Sequence, residues 1–290
     1  KLDFSNAIIF TDNYAPVDSY ISKSIRSQLI SESKPIDGAE MLALVKQQRN
    51  YSLVNSEQDA HKKIQNIIES ETDTLADKNI KQSWEENSSD NVKNNFTNII
   101  AQFYPEKKNR IILATRYGNE TDNSINGSSI LLEIANFLAN RKEEPAVGID
   151  LVFLDETKTE KNNAGAKYFS ENLQTIYPDN KPQNAIIIDI ICNKNFKVYQ
   201  EQSSADLAPE LSKNFLETAR SISTSIFKTN TIATIDNGQS YLNKAGIPSV
   251  LLTNTKNSSS QNNEITTDKC TSKFLETIGN ALLKYVFTLK

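Results

Sequence analysis

The first group of residues with the capacity for chemistry lies in a turn between a buried strand and an amphipathic helix. The strand spans residues 112–115, and the helix surrounds residues 131–133. In α/β proteins, ligands bind beyond the carboxyl ends of parallel strands, so turns of this kind commonly carry catalytic groups. The turn therefore predicts a functional site, and its residue types decide which chemistry that site allows. Its polar and flexible positions are Arg116, Tyr117, Gly118 and Asn123.

Acidic residues near the ends of predicted strands raise a second possibility, a site for a hard cation. Asp150, Asp155 and Asp189 offer the oxygen ligands that Mg²⁺ and Ca²⁺ prefer. Asp150, however, lies in the outer half of its predicted strand, which disfavours a shared site.

Histidine chemistry is limited, because the chain contains one histidine, His61. It lies in the first turns of a predicted helix beside two lysines, and we expect it to be partly exposed. A Ser-His-Asp triad would depend on this residue, and no nucleophile elbow accompanies it. Phosphate-loop and dinucleotide-binding motifs are also missing from the sequence.

The composition of the chain argues against two kinds of environment, nucleic acid and the interior of a membrane. The chain has 290 residues and a formal net charge of −4, and its basic residues are mixed with acids, so nucleic acid is not expected as a partner. No apolar run reaches the roughly 18–20 residues of a transmembrane segment. Because the sequence begins at Lys1, we expect a leader to have been removed. Cys192 ends an apolar strand and is expected to be a small buried residue, while its pairing with Cys270 stays open.

The hydrophobic pattern predicts an α/β protein. Strands alternate with helices of 12–20 residues, which is typical of a largely parallel sheet with helices on both faces. Segments 96–104 and 109–115 are predicted as strands of a hairpin, and 205–227 as one long helix. We therefore predict a three-layer α/β/α sandwich with a mixed, mostly parallel central sheet over residues 37–290, preceded by a helical extension at 1–36.

Several segments resemble, in order, those of the zinc aminopeptidase and glutaminyl cyclase family, in particular its bacterial cyclase-like members. "NSINGSSILLEIANFL" resembles the family segment D-x-A-S-G-x-x-x-L-L-E-x-A-x-x-L. "VGIDLVFLD" followed by "GAKYF" resembles I-x-F-x-F-F-D-x-E-[DE]…G-[ST]-x-x-[YW], and "YLNKAGIPSVLL" resembles F-x-x-A-G-[IV]-P-x-[IV]. The resemblance covers about residues 37–290 and implies a zinc-exopeptidase-like fold.

The same resemblance implies which positions would hold zinc in an active member. The first ligand histidine falls on Arg116 and the bridging aspartate on Asn123, while the aspartate of the fourth strand is retained as Asp189. The general-base glutamate falls on Thr157 and the ligand glutamate on Lys158. The last histidine falls near Gln261, and another histidine before "AGIP" falls on Gln239.

These substitutions predict that the metal site is lost. Protein zinc sites use imidazole, thiolate or carboxylate ligands, whereas Arg116 and Lys158 place positive charge where the cation would lie. We therefore expect no metal or other cofactor, and an ion pair between Arg116 and Asp189.

Two functions follow as alternatives. The preferred one is a non-catalytic relative with a binding or assembly role and an unidentified protein or peptide partner. Its cleft, formed by Arg116, Lys158, Asp189 and Gln239, would suit a peptide-like or anionic ligand. The alternative is an active zinc-dependent aminopeptidase or glutaminyl-peptide cyclotransferase with other ligands. The resemblance implies a location in the cell envelope of a bacterium or outside it.

Overall fold

The computed structural model describes residues 36–87, 93–118, 122–141, 143–156, 163–190, 196–235, 237–254 and 270–289. The helix predicted near the N-terminus, together with Thr157, Lys158, Cys192 and Gln261, lies outside these residues. The helices are α1 Gly38–Val54, α2 Glu57–Leu75, α3 Asp122–Ala139, α4 Ala164–Glu171, α5 Leu173–Ile176, α6 Gln202–Leu207, α7 Pro209–Arg220, α8 Gln239–Lys244 and α9 Ser272–Thr288. The strands are β1 Lys78–Asn87, β2 Lys93–Phe103, β3 Arg110–Tyr117, β4 Gly148–Asp155, β5 Asn184–Asp189, β6 Val198–Glu201, β7 Phe227–Ile232 and β8 Ser249–Thr253.

The strands form one eight-stranded mixed sheet in the order β1-β2-β4-β3-β5-β8-β6-β7. Its centre is parallel, since β4, β3, β5 and β8 all run in the same direction. Strand β2 joins β4 in the antiparallel sense, and so does β6 with β8. The carboxyl ends of the four central strands therefore meet at one edge, which is where the sequence predicts the site.

The two faces of the sheet are covered by different helices, because successive side chains on a strand point to opposite sides. Ile111 and Leu113 of β3 face a large apolar core shared with α1, α2, α3, α7 and α9. Ile112 and Ala114 face a smaller core shared with α4, α5 and α8. The predicted three-layer sandwich with a mixed, mostly parallel sheet is thus confirmed. We call the two sides the large-core face and the small-core face.

The residue types of α2 and α9 account for where these helices begin and pack. Ser56 caps α2, since its hydroxyl accepts a hydrogen bond from the Asp59 amide at 3.2 Å. Ile64 and Ile68 are buried on the inner side of this helix. In α9 the residues that recur at helical spacing, Leu275, Ile278, Leu282 and Val286, are likewise buried.

The predicted hairpin was wrong. Strands β2 and β3 do not pair with each other, because β4 lies between them. The antiparallel part of the sheet comes instead from β1 with β2 and from β2 with β4. The polar segment around Trp84 is the edge strand β1.

The long helix predicted over residues 205–227 was also wrong. It is two helices, α6 and α7, separated at Ala208, and Pro209 is the first residue of α7. Proline restricts the residue before it to extended backbone, and Ala208 has φ −135° and ψ 58°, outside the helical region. The end of the segment turns into strand β7, which begins at Phe227.

Candidate functional site

The candidate site is built around Arg116, which lies near the carboxyl end of β3. Its side chain belongs to the small-core face, on the same side as Ile112 and Ala114. The guanidinium donates through Nη1 to Oε2 of Glu156 at 2.6 Å and through Nη2 to Oδ1 of Asp189 at 2.8 Å. The ion pair between Arg116 and Asp189 that the sequence predicted is therefore present, and Glu156 extends it.

Both carboxylates have further partners in the protein. The second oxygen of Asp189 accepts a hydrogen bond from Nδ2 of Asn237 at 2.7 Å. The second oxygen of Glu156 accepts one from the backbone amide of Asn163 at 2.8 Å. All four carboxylate oxygens are thus occupied. We refer to Arg116, Glu156, Asp189, Asn163 and Asn237 as the Arg116 cluster.

The cluster is buried and carries unequal charge. The side chains of Arg116, Glu156 and Asp189 are 12%, 6% and 3% exposed. Burial acts to lower the pKa of Arg116, but the charges of Asp189 and Glu156 outweigh it and raise the pKa above its usual value. The guanidinium therefore stays charged, and the formal charges of the one arginine and the two acidic side chains sum to −1.

Gln239, a predicted ligand-binding residue, contributes indirectly. It is fully buried at the first position of α8, where its Oε1 accepts from the amide of Asn237 at 2.8 Å. Its Nε2 donates to the carbonyl of Ile235. Gln239 thus fixes the turn that aims Asn237 at Asp189.

The remaining predicted positions cannot be placed against the cluster. Asn123 lies in the first turn of α3, and its side chain is outside the described residues. Thr157, Lys158 and Gln261 are also outside them. None of these four residue types provides a carboxylate or an imidazole.

On the large-core face of the same sheet end lies a second polar group, centred on His61. The expectation that His61 is partly exposed was wrong, because it is 9% exposed. Its Nε2 lies 3.0 Å from Oδ1 of Asp155, and its ring stacks on Tyr117 with centroids 5.5 Å apart. A β-carbon at Gly118 would come within 2.2 Å of the His61 ring, so the glycine is needed for this packing.

The other bonds of Asp155 show that this second group is structural. Its Oδ2 accepts from the Thr97 amide at 2.7 Å and from the Tyr117 hydroxyl at 3.2 Å. Burial raises the pKa of Tyr117 well above its usual value, and the charge of Asp155 adds to this effect. The group ties α2 and β2 to the ends of β3 and β4, beneath the Arg116 cluster.

The three aspartates considered for a hard cation do not converge. Asp150 binds Arg110 through distances of 2.6–3.2 Å and accepts from the Tyr177 hydroxyl at 2.8 Å. Asp155 faces the large core, whereas Asp189 faces the small core. Within the described residues, no three His, Cys, Asp or Glu side chains are placed to hold a metal ion.

The Arg116 cluster does not fit zinc either. Zinc needs about three or more anionic or imidazole ligands with a free lone pair directed at the ion. Here the carboxylates of Glu156 and Asp189 both bind a guanidinium, and the chain's only histidine binds Asp155. The two carboxylates are thus arranged around the Arg116 guanidinium, in the way that metal ligands would surround a metal ion.

Glu156 and Asn237 were missed by the sequence analysis. Glu156 occupies the unspecified position of the family's D-x-E-[DE] segment, so the motif gives it no weight. Strand register would have found it, because Arg116 pairs with Leu154 and Glu156 lies two residues further on. Asn237 carries no comparable signal, since it reaches Asp189 from a distant turn.

Cys270 takes part in a disulfide bond. The chain has one other cysteine, Cys192, which lies outside the described residues. Cys270 directly precedes Thr271, the residue whose hydroxyl caps α9.

Comparison with known proteins identifies the family. Residues 98–286 match the sequence profile of Peptidase family M28, which is more than half of the chain. The chain belongs to Peptidase family M28. No protein of curated function shows a significant match.

Solved structures share this fold. The glutaminyl cyclase of Fimbriiglobus ruber superimposes with a TM-score of 0.80 at 19% identity, covering 89% of this chain and 97% of that one. The glutaminyl cyclase of Porphyromonas gingivalis gives 0.76 at 20% identity, covering 87% and 98%. A Zn-dependent exopeptidase from Parabacteroides distasonis gives 0.76 at 20%, covering 89% and 100%. At 19–20% identity these similarities establish only the fold of this M28 chain.

None of the helices in the described residues is long and apolar enough to cross a membrane.

Proposed function

We propose that this chain is a non-catalytic M28 relative, a pseudo-enzyme whose cleft serves binding or assembly. The observation that carries the proposal is the Arg116 guanidinium, held between Glu156 and Asp189 at 2.6 and 2.8 Å. A family member that works through zinc needs carboxylates directed at the metal, and here an arginine takes them.

Electrostatics supports this reading. Two unit charges of like sign at ~4 Å repel by about 4 kcal/mol when the effective dielectric constant is near 20, and a dication doubles the figure to about 8 kcal/mol. Zinc would also have to displace a guanidinium that makes two charge-assisted hydrogen bonds. Both terms oppose binding at this position.

The charge of the Arg116 cluster also indicates which type of ligand the cleft would bind. A cleft with a free guanidinium would suit a carboxylate, but the two Nη atoms of Arg116 already donate to Glu156 and Asp189. The net negative charge of the cluster disfavours an anionic ligand. A peptide-like ligand or a protein partner is therefore the better occupant. In this proposal Arg116 and Asp189 form the floor of the cleft, and Gln239 acts through Asn237.

The location in the cell envelope or outside the cell is part of the same proposal. The disulfide at Cys270 supports it, because disulfides persist in oxidising compartments. The bacterial source of the structural relatives agrees with it.

The test is zinc content and turnover measured on the same preparation. Protein folded in the presence of Zn²⁺ is dialysed and measured by inductively coupled plasma mass spectrometry, then assayed with aminoacyl and N-terminal glutaminyl substrates. We expect substoichiometric zinc and no turnover. Stoichiometric zinc together with turnover of either substrate class would overturn the proposal in favour of an active aminopeptidase or glutaminyl-peptide cyclotransferase.

A pair of variants sharpens this test. Arg116→His with Asn123→Asp restores two ligand types that the family resemblance implies, and should raise zinc retention above wild type. Asn123→Asp alone keeps the guanidinium in place and is the matched control, with zinc content unchanged. Equal retention in both variants would mean that the arginine does not exclude the metal.

A further inference from the structure

The outer edge of β1 is a candidate interaction surface that is separate from the cleft. Strand β1 pairs with β2 over all ten residues, from Lys78 opposite Gln102 to Asn87 opposite Lys93. In the described part of the chain no strand lies on its other side. At about 3.3 Å per residue, the open edge is roughly 33 Å long. It presents a row of backbone donors and acceptors that another strand can pair with.

This edge lacks most of the features that keep edge strands apart. Proteins protect such edges with short strands, prolines, bulges or charged side chains, especially lysine, and of these features β1 has only the charged side chains. Strand β1 is long, contains no proline, and keeps an unbroken register with β2. At the opposite edge of the sheet, β7 has six residues, and its pairing with β6 contains a register shift between Val198 and Gln200. The two edges are therefore built differently.

The charges on β1 are segregated along the strand. Lys78 and Lys81 lie in its first half, and Glu85 and Glu86 in its second half. Antiparallel pairing with an identical strand then places lysine opposite glutamate. When Ser83 lies on the two-fold axis, Lys81 faces Glu85 of the partner subunit, and symmetry repeats this pair. Parallel pairing would place like charges together, which is destabilising.

The strand is held in a fixed position for such pairing. On the small-core face, Trp84 stacks on Tyr168 at 4.2 Å and on Phe96 at 5.0 Å, with ring planes within 13°. On the other face, Lys81 binds Glu69 at 2.9 Å while remaining 45% exposed. Both contacts anchor β1 without covering its outer edge, so a partner would meet an ordered strand.

We propose that β1 pairs antiparallel with β1 of a second copy of this chain, which joins two eight-stranded sheets into one continuous sheet across a two-fold axis. The same surface patch serves both subunits, as a two-fold interface requires. Because opposite charges flank the axis, the dimer should weaken as ionic strength rises.

The experiment uses analytical ultracentrifugation of the full chain and of two charge variants. Lys78→Glu with Lys81→Glu makes the edge wholly acidic, and Glu85→Lys with Glu86→Lys makes it wholly basic. Wild type should sediment as a dimer, and each variant alone should dissociate about tenfold or more readily, because each opposite-charge pair becomes a like-charge pair. An equimolar mixture of the two variants should recover a heterodimer.

The mixture separates charge complementarity from damage to the fold, since two misfolded variants would not restore each other. The matched control is Lys46→Glu with Lys213→Glu, which makes the same charge change at exposed positions on α1 and α7 and should leave the dimer intact. Hydrogen exchange should show β1 amides that become protected as concentration rises.

Three results would overturn the proposal. The first is a monomer for wild type at about 100 µM, where even a weak dimer would be populated. The second is a dimer that neither charge variant weakens, which would place the interface elsewhere. The third is a monomer whose outer β1 amides are protected, which would mean that another part of the chain covers the edge.

Discussion

Arg116 offers the most direct test of the buried charge arrangement. Methionine fills a similar volume without charge or donors, so Arg116→Met removes the guanidinium and leaves Glu156 and Asp189 facing each other with side chains 6% and 3% exposed. Each carboxylate keeps one neutral partner, from Asn163 and Asn237 respectively. Neither can regain water freely at this depth.

The expected loss follows from the two hydrogen bonds that disappear. Hydrogen bonds to charged groups contribute about 1.5–3 kcal/mol each, and removing one partner of a buried ion pair costs about 3–5 kcal/mol. We expect the free energy of unfolding to fall by about 3–5 kcal/mol. For a chain of this size, each kcal/mol lowers Tm by about 2–4 °C, so Tm should fall by roughly 6–20 °C.

Urea unfolding followed by circular dichroism measures this change, and a triple variant tests its cause. Adding Glu156→Gln and Asp189→Asn to Arg116→Met removes the unpaired charges, so the triple variant should recover at least half of the loss. The surface control is Lys273→Met, whose ion pair with Glu276 is exposed and should contribute under about 1 kcal/mol. A loss below about 1 kcal/mol for Arg116→Met, or a triple variant no more stable than the single one, would refute the reasoning.

Three further predictions concern the stability of the fold. His61→Phe keeps the stacked ring but leaves Oδ1 of Asp155 without its 3.0 Å partner, and should lower the free energy of unfolding by about 1–3 kcal/mol in urea titration; an unchanged midpoint would contradict the bond. Reduction of the Cys270 disulfide, or Cys270→Ser, should lower stability by about 2–5 kcal/mol, and reductant should have no added effect on the variant. Gly148→Ala places a β-carbon 2.2 Å from Nη1 of Arg110, so Tm should fall clearly, whereas Gly246→Ala, where the nearest atom is 3.8 Å away, should cost only the strain of its positive φ.

The sequence predicted those parts of the fold that local patterns encode. The apolar runs of β3, β4 and β5 are buried on both faces, as central strands must be, so their composition alone identifies them. Strand β7 was missed for the opposite reason. Only its first and last residues, Phe227 and Ile232, are buried, so it shows no alternating pattern.

The order in which the strands pair within the sheet was harder to predict, because it depends on contacts between segments that are distant in the sequence. The short connection between β2 and β3 suggested a hairpin, yet β4 separates the two strands. A short connection favours pairing of the two strands that it joins, but β3 pairs instead with β4, in parallel, after a crossover through α3. No local pattern distinguishes these outcomes.

By itself, the sequence predicted the ion pair between Arg116 and Asp189 that the structure contains. That prediction depended on the family resemblance, which implies that positions 116 and 189 both belong to one metal site, and on the opposite charges of arginine and aspartate. Tertiary structure alone decided that Glu156 completes the pair, that Asn237 reaches it from another turn, and that His61 is buried on the opposite face. These contacts join segments 40 to 94 residues apart, and only the packing of helices on a particular strand order brings them within hydrogen-bonding distance.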